Sequence, residues 1–286
     1  MGVWLTSVDK GFAYIILFTY HKQVAPSSQH PYTKDMTKPI VSVKDFSLTI
    51  GDKEIVKELN FEVMPGEIFA FLGSNGSGKT STIRSLLGIY QATTGTLHVN
   101  GKALSPETAS LVGYLPEERG LYTRSKVLDT MIYFGELKGM TREAARDFSI
   151  AFLDRVELAD KATTKIKKLS GGQQQKIQLG VAIMGNPKLL ILDEPTKGLD
   201  PVNRKLLLDI VDELQQQGTA VIYITHLMEE VERLAHRLLI LKDGTARAYG
   251  TVAEVKKEFK SKSIEDIFVQ IYKEKSHTLS TGEANV

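Results

Sequence analysis

A glycine-rich stretch with one lysine and adjoining hydroxyls gives the chain its clearest chemical signal. Residues 73–80 read GSNGSGKT, which satisfies the spacing G-x-x-x-x-G-K-[ST] between an apolar run and a helical segment. Glycines let backbone N–H groups approach phosphate oxygens, and a helix start adds its positive end. A glycine turn with a surface lysine is disfavoured because eight residues match in this context. We therefore predict a phosphate site made of Gly73, Ser74, Asn75, Gly76, Ser77, Gly78, Lys79, Thr80 and Ser81.

Two acids, Asp193 and Glu194, follow the apolar run LLIL and would reach the same sheet edge as the glycine loop. Successive side chains on a strand point to opposite faces, so the two acids need not share a role. We predict that Asp193 and the Thr80 hydroxyl hold magnesium, and that Glu194 accepts a proton from, or orients, an attacking water. Paired acids before a proline also commonly cap a helix. The glycine loop favours a site that hydrolyses a nucleoside triphosphate.

The stretch KKLSGGQQQKIQ contains a second helix N-terminus, formed by residues with small side chains or none. Ser170, Gly171 and Gly172 would leave backbone N–H groups available to an anion. One triphosphate already has its cradle at Lys79. A second phosphate-facing loop in one chain therefore suggests that this loop serves a nucleotide held by a different chain.

Apolar patterning predicts the elements that position these residues. Alternation around a turn at Gly51 and Asp52 predicts a hairpin, and Asn100 and Gly101 mark a second turn. Later, short buried runs alternate with helices, including one predicted to carry acids early and Arg233, His236 and Arg237 late. Such alternation predicts a parallel sheet whose ligands bind at the carboxyl ends of the strands.

Five motifs occur in an order that resembles the ATP-binding cassette (ABC) ATPases. They are the Walker A sequence GSNGSGKT, the signature LSGGQ, the Walker B sequence LLILDE, the D-loop GLD at residues 198–200, and a histidine, His226, after YIT. The resemblance covers roughly residues 40–250. It implies an α/β P-loop NTPase fold with a RecA-like core, an antiparallel β subdomain and a helical subdomain at about residues 121–168. We predict an extension and linker at 1–39, the nucleotide-binding domain at 40–258 and a tail at 259–286.

The resemblance also implies how ATP and Mg²⁺ would be held. Two nucleotide-binding domains, as a homodimer or a heterodimer, would enclose two ATP molecules head to tail. The turn Ser170, Gly171, Gly172 and Gln173 of one domain would close over the γ-phosphate bound by Lys79 of the other. His226 would contact that phosphate from the side of Glu194, which makes these two residues the catalytic pair. Asp200 of the D-loop would join the site, and it also fits an N-cap with Pro201 at the first helical position.

Two positions depart from the family pattern. The family usually places an aromatic residue on the adenine where this chain has Ile50, so we expect an aliphatic contact and weaker or less base-selective binding. The family commonly has glutamine where this chain has Glu117, and a carboxylate there could ligate magnesium or a water. Glu118 is the neighbour that could be confused with it.

Composition and charge limit the partners. The 286 residues carry 36 basic and 34 acidic side chains, a net charge of +2, which does not favour nucleic acid. The absence of cysteine excludes disulfides and fits a reducing cytoplasm.

The most apolar early segment, residues 11–20, is about half the roughly 20 residues that a membrane-spanning helix needs. A secretory signal is disfavoured because the residues after this segment contain no clear cleavage site. Residues 1–35 are either an extension of the protein or the result of choosing too early a start codon. In the second case Met36 is the first residue.

The resemblance favours an ATPase subunit on the cytoplasmic face of the membrane, powering a permease subunit on a separate chain. YLPEERGLY and SIEDIFVQIYKE are similar to bacterial sodium-efflux and daunorubicin-type drug-export ATPases, which favours an exporter. The permease would dock on the helical segment around Leu121, Tyr122, Ile132 and Phe134, for each of which core packing is the alternative. The competing functions are a soluble ABC ATPase without transport and a nucleotide-sensing module without turnover.

Overall fold

The computed structural model describes residues 38–103, 105–118 and 120–273. The predicted N-terminal extension as far as residue 37, with its alternative start at Met36, and residues 274–286 of the tail lie outside these ranges.

An antiparallel sheet opens the described part of the chain. Its strands are β1 (Val41–Ile50), β2 (Lys53–Val63) and β4 (Thr94–Val99), in the order β2-β1-β4. The predicted hairpin is confirmed, since Ile50 pairs with Lys53 across the two-residue turn. The predicted turn at Asn100 and Gly101 is also confirmed: both residues have positive φ, and Val99 bridges to Lys102.

A second sheet has six strands in the order β5-β6-β7-β3-β8-β9. The strands are β3 (Ile68–Leu72), β5 (Val112–Leu115), β6 (Leu189–Asp193), β7 (Ala220–Ile224), β8 (Arg237–Lys242) and β9 (Thr245–Thr251). All pairs are parallel except β8 with β9. Every residue of β3, β6 and β7 is buried, as expected of strands covered on both faces. The two sheets meet where the Phe61 and Phe69 rings stack with centroids 5.3 Å apart.

Helices connect and cover the strands. They are α1 (Lys79–Leu86), α2 (Pro106–Ala109), α3 (Val127–Leu137), α4 (Arg142–Arg155), α5 (Gly171–Ile183), α6 (Pro201–Gln216), α7 (Met228–Leu234), α8 (Val252–Glu258) and α9 (Ile264–Lys273). The helical segment predicted at about 121–168 contains α3 and α4. The Thr141 hydroxyl caps α4 by accepting a hydrogen bond of 3.1 Å from the Ala144 N–H. The predicted α/β fold with an antiparallel sheet is confirmed.

One predicted helix is shorter than expected. The helix α7 ends at Leu234, so the prediction that it includes His236 and Arg237 is wrong. Arg237 begins β8, and the His236 Nδ1 accepts a hydrogen bond of 3.1 Å from the Ile68 N–H. The buried run from Leu238 pairs with β3, so sheet pairing overrides the helix-like order of charges.

The last described helix packs onto the parallel sheet. Ile264, Ile267 and Ile271 of α9 are buried in a cluster that includes Leu72 of β3 and Ile240 of β8. This apolar face holds α9 beside the end of β3, where the glycine loop begins.

Candidate functional site

The glycine loop joins β3 to α1 and opens onto a cleft of about 620 Å³. The residues that line the cleft come from the loop, from the ends of neighbouring strands, from β2 and from α9: Gly73, Ser74, Asn75, Gly76, Gly78, Lys79, Thr80, Ser81, Glu117, Asp193, Glu194, Lys197, His226, Lys53, Ile55 and Phe268. Ser77 of the loop is buried beneath this surface. The structure thus brings most of the predicted site residues together.

Close backbone contacts explain the glycines at two positions of the loop. A Cβ atom on Gly73 would lie 2.6 Å from the Leu241 carbonyl oxygen. Gly78 has a φ of +108°, and a Cβ atom there would lie 3.0 Å from the Ile55 carbonyl oxygen. Because both obstacles are backbone atoms, a side chain at either position would push the loop out of place.

The Lys79 ammonium lies at the base of the loop. Its Nζ donates hydrogen bonds of 2.6 Å to the Gly73 carbonyl and 3.0 Å to the Ser74 carbonyl. Burial lowers the pKa of Lys79, although the charges of Asp193 and Glu194 raise it again. Additional negative charge, such as that of a phosphate, would stabilise the ammonium further.

Three carboxylates reach the cleft from the ends of adjacent strands. Asp193 ends β6, Glu194 follows it, and Glu117 follows β5. Asp193 is 5% exposed, and burial, followed by the negative charges of Glu117 and Glu194, raises its pKa to about 7. The carboxyl of Asp193 therefore has too little positive charge around it, and a cation fits beside it.

Glu194 and His226 contact each other directly. The Glu194 Oε1 lies 2.8 Å from the His226 Nδ1, while the Glu194 N–H donates to the Ile224 carbonyl at 2.9 Å. Glu194 adopts a φ of +50°, which is uncommon for a residue other than glycine, and the contact with His226 orients its carboxylate. Burial raises the pKa of Glu194, and the hydrogen bond with His226 opposes that shift. An oriented carboxylate with a raised pKa suits a general base.

Glu117 is distinguished from its neighbour by position. Its Oε1 lies 2.6 Å from the Lys197 Nζ, and this hydrogen bond raises the pKa of Lys197. Glu118 does not line the cleft, and its carbonyl accepts a hydrogen bond of 3.2 Å from the Gln178 Nε2. Of the two, Glu117 is the one that faces the site.

The signature turn lies outside this cleft. The described residues that line the cleft do not include Ser170, Gly171, Gly172 or Gln173. Ser170 instead caps α5: its Oγ accepts from the Gln173 N–H at 3.3 Å, and the Gln173 Oε1 accepts from the Ser170 N–H at 2.9 Å. Further along α5, the Gln175 Nε2 donates to the Pro195 carbonyl at 3.1 Å, which ties the helix to the loop that follows Glu194.

Asp200 caps α6 as its sequence context indicates. Its Oδ1 accepts hydrogen bonds of 3.0 Å from the N–H groups of Val202 and Asn203, with Pro201 as the first helical residue. The hydrogen bonds from Asn203 lower the pKa of Asp200. A contact between Asp200 and nucleotide stays a prediction.

The wall of the cleft differs from expectation at one point. Ile50 lies at the hairpin turn, is 45% exposed and is not among the described residues that line the cleft. The lining instead includes Ile55 of β2 and Phe268 of α9. The spacing of Ile264, Ile267 and Ile271 marks α9 as amphipathic, but nothing local indicates that Phe268 reaches the glycine loop.

The sequence matches a known family and its members. A family profile described as ABC transporter matches residues 56–197. An uncharacterised ABC transporter ATP-binding protein of Methanocaldococcus jannaschii is 45% identical over 218 residues, which are 76% of this chain and 80% of that protein. The chain belongs to the ABC transporter ATP-binding family. The predicted family resemblance is confirmed.

Other matches place this ABC ATP-binding subunit among named relatives. The linearmycin resistance ATP-binding protein of Bacillus subtilis is 36% identical, over 76% of this chain and 70% of that protein. The Nod factor export ATP-binding protein I of Paraburkholderia xenovorans is 38% identical, over 70% and 67%. A solved structure described as the ATP binding subunit of an ABC transporter superposes with a TM-score of 0.78 and 27% identity, over 82% of this chain and all of that one.

The described part of the ABC subunit shows neither a ready-made metal cluster nor a helix that could cross a membrane. Among residues 38–103, 105–118 and 120–273, no three His, Cys, Asp or Glu side chains are grouped so as to hold a metal ion by themselves. Over that same part of the chain, every helix is too short or too polar to cross a membrane.

In the ABC subunit, we expect Asp193→Asn to stabilise the nucleotide-free protein at alkaline pH. The folded carboxyl has a pKa of about 7, well above the usual aspartate value. Between these two values the folded chain binds more protons than the unfolded chain, so the free energy of unfolding falls as pH rises. The difference between the folded and unfolded pKa values corresponds to roughly 4 kcal/mol of unfolding free energy at most. Urea unfolding should show that the variant gains more unfolding free energy over the wild type at pH 8 than at pH 5. Equal gains at the two pH values would contradict the raised pKa of Asp193.

Proposed function

We propose that the chain hydrolyses ATP and thereby powers an exporter whose membrane-spanning subunit is a separate chain. The contact between Glu194 and His226, at the rim of a cleft floored by the glycine loop, carries this proposal. A binding module needs the loop, but only a hydrolase needs an oriented base next to it.

The loop and Lys79 bind the triphosphate. Backbone N–H groups of residues 76–80 and the first turn of α1 face the phosphates, and Lys79 pairs with the terminal ones. Mg²⁺ would be held by the Thr80 hydroxyl and the Asp193 carboxylate. Glu117 would join them because it lines the same cleft. Asp193 fits this role because its burial among negative charges favours a cation. Mg²⁺ usually takes one or two carboxylates together with substrate phosphates and waters, and when bound it neutralises charge on the phosphates.

Glu194 and His226 carry out the proton chemistry. Glu194 accepts a proton from the water that attacks the γ-phosphate, and the contact with His226 orients its carboxylate for this role. His226 holds the Glu194 carboxylate through Nδ1, which leaves Nε2 to contact the γ-phosphate. The products are ADP and inorganic phosphate.

A second nucleotide-binding domain completes each site. Ser170, Gly171, Gly172 and Gln173 start the 13-residue helix α5 but do not line the cleft of their own chain. A helix N-terminus with two glycines suits an anion presented from outside. We infer that this turn closes over ATP bound to another domain, as a homodimer or a heterodimer, with Asp200 adding a further contact.

The permease would dock on the helical segment. Leu121, Ile132 and Phe134 are buried, so core packing accounts for them. Tyr122 and Tyr133 are each 38% exposed and pack edge to face, with ring centroids 5.9 Å apart. Exposed paired aromatic rings favour a protein contact. We propose that such docking holds the subunit at the cytoplasmic face of the membrane.

Direction of transport is inferred from relatives. Two of them are named for linearmycin resistance and for Nod factor export, which favours export for this chain as well.

An assay of phosphate release tests the proposed activity. Purified chain incubated with ATP and Mg²⁺ should release phosphate, and removal of Mg²⁺ with a chelator should stop the release. A chain that binds ATP but releases no phosphate would be a nucleotide sensor, and the proposed activity would be wrong.

A further inference from the structure

The cleft holds an aromatic side chain that the motifs do not assign. Phe268 of α9 is half-buried and lines the same cleft as the glycine loop. Its ring stacks on that of Tyr272, with centroids 4.5 Å apart and an interplanar angle of 28°. The Phe268 ring thus contributes to the lining of the cleft, with the Tyr272 ring stacked against it.

Hydrogen bonds tie this pair of rings to the glycine loop. The Tyr272 hydroxyl accepts from the Ser74 N–H at 2.7 Å and donates to the Leu241 carbonyl at 2.6 Å. The Lys242 Nζ donates to the Ile271 carbonyl at 2.8 Å, so the end of α9 is held at a second point. With three isoleucines of α9 buried against the sheet, the Phe268 ring has little freedom to leave the cleft.

Strand order places these rings away from the phosphate chemistry. The strands β6 and β7, which present Asp193, Glu194 and His226, lie on one side of β3, and β8 lies on the other. Tyr272 bonds to Leu241 of β8, so α9 lies on that other side. A triphosphate between Lys79 and Glu194 leaves the β8 side of the loop to the rest of the nucleotide.

A second wall faces the same space. Ile55 of β2 lines the cleft, and Lys57, two residues further along β2, donates from its N–H to the carbonyl of Gly244 in the turn after β8, at 2.9 Å. Ile55 therefore lies on the β8 side as well. Ile55 gives this side of the cleft an aliphatic side chain and Phe268 an aromatic ring, which together suit a flat apolar ring system, and Lys53 of β2 also lines it.

We propose that the Phe268 ring is the platform on which the purine base of the bound nucleotide stacks. The inference rests on the proposed nucleotide site and adds its base-binding residue, which comes from the C-terminal helix rather than from the hairpin turn at Ile50. Every base has a π-face, so such a platform binds bases with little discrimination. Loss of the ring should therefore weaken ATP and GTP by similar factors.

Titration calorimetry with two ligands tests the platform. ATP carries the base, and inorganic tripolyphosphate carries only the phosphates. Phe268→Ala should weaken ATP binding by about ten-fold and leave tripolyphosphate binding unchanged. Phe268→Leu keeps apolar volume without a π-face and should behave like Phe268→Ala, whereas Phe268→Trp should bind ATP like the wild type. Val269→Ala changes an exposed residue of the same helix and should change neither affinity.

Three results would overturn the inference. Wild-type ATP affinity in Phe268→Leu would show that the ring does not contact the base. An equal loss of ATP and tripolyphosphate would show that Phe268 supports the loop instead. Either result leaves the proposed hydrolysis intact. If the wild-type chain bound neither ligand, both the platform and the proposed function would be wrong.

Discussion

Glu194→Gln is expected to lower the turnover number for ATP by about 100- to 10,000-fold, the range that a general base contributes. Glutamine keeps the size of the side chain and a hydrogen bond to the His226 Nδ1, but it cannot accept the proton of the attacking water. Binding should persist, because Lys79 and the glycine loop are unchanged. Phosphate release measured at saturating ATP, together with ATP affinity from calorimetry, separates the two effects.

The matched control is Glu213→Gln. Glu213 forms an exposed ion pair with Arg155, at 2.7 Å, and does not line the cleft. The same chemical change there should leave turnover unaltered. Normal turnover in Glu194→Gln would remove the glutamate from its proposed role, even if the loop binds ATP as expected.

Lys79→Ala should weaken ATP binding by roughly ten- to a hundred-fold or more. In the proposed complex the Lys79 ammonium makes charge-assisted hydrogen bonds with the phosphates of ATP, worth about 1.5 to 3 kcal/mol each, and alanine makes none. Removal of the ammonium also takes away a positive charge that offsets those of Asp193 and Glu194, which further disfavours an anionic ligand. Calorimetric titration with ATP measures the loss.

Lys205→Ala serves as the control for Lys79→Ala. Lys205 is exposed on α6 and pairs with Asp209 at 2.5 Å, away from the cleft. Its removal should not change ATP affinity. If Lys79→Ala bound ATP as tightly as Lys205→Ala, the assignment of the glycine loop to phosphate would be wrong.

The convergence of loop and acids could be predicted because it depends on local motifs and one rule of topology. The glycine spacing identifies a phosphate loop, and the runs before Asp193 and before His226 identify buried parallel strands. In a parallel sheet the residues after each strand meet at one edge. The structure places Glu194 against His226 in agreement with that rule.

Other features depend on contacts between distant parts of the chain, and the sequence does not carry them locally. Tyr272 meets Ser74 across 198 positions, and Lys197 meets Glu117 across 80. The pattern around Phe268 predicts an amphipathic helix but not which face of the sheet accepts it. The charges near Arg237 imitate the end of a helix, while the pairing of β8 with β3 decides the outcome. These features required three-dimensional packing to define them.

Turnover per chain as a function of protein concentration, measured for the wild type and for Ser170→Arg, tests most directly whether two domains share each ATP. Thr141→Arg, which removes a comparable helix cap away from the cleft, is the control for lost capping. We predict that wild-type turnover rises with concentration as domains pair, and that Ser170→Arg binds ATP but fails to hydrolyse it at any concentration. Turnover that is constant on dilution and unchanged in Ser170→Arg would contradict the account.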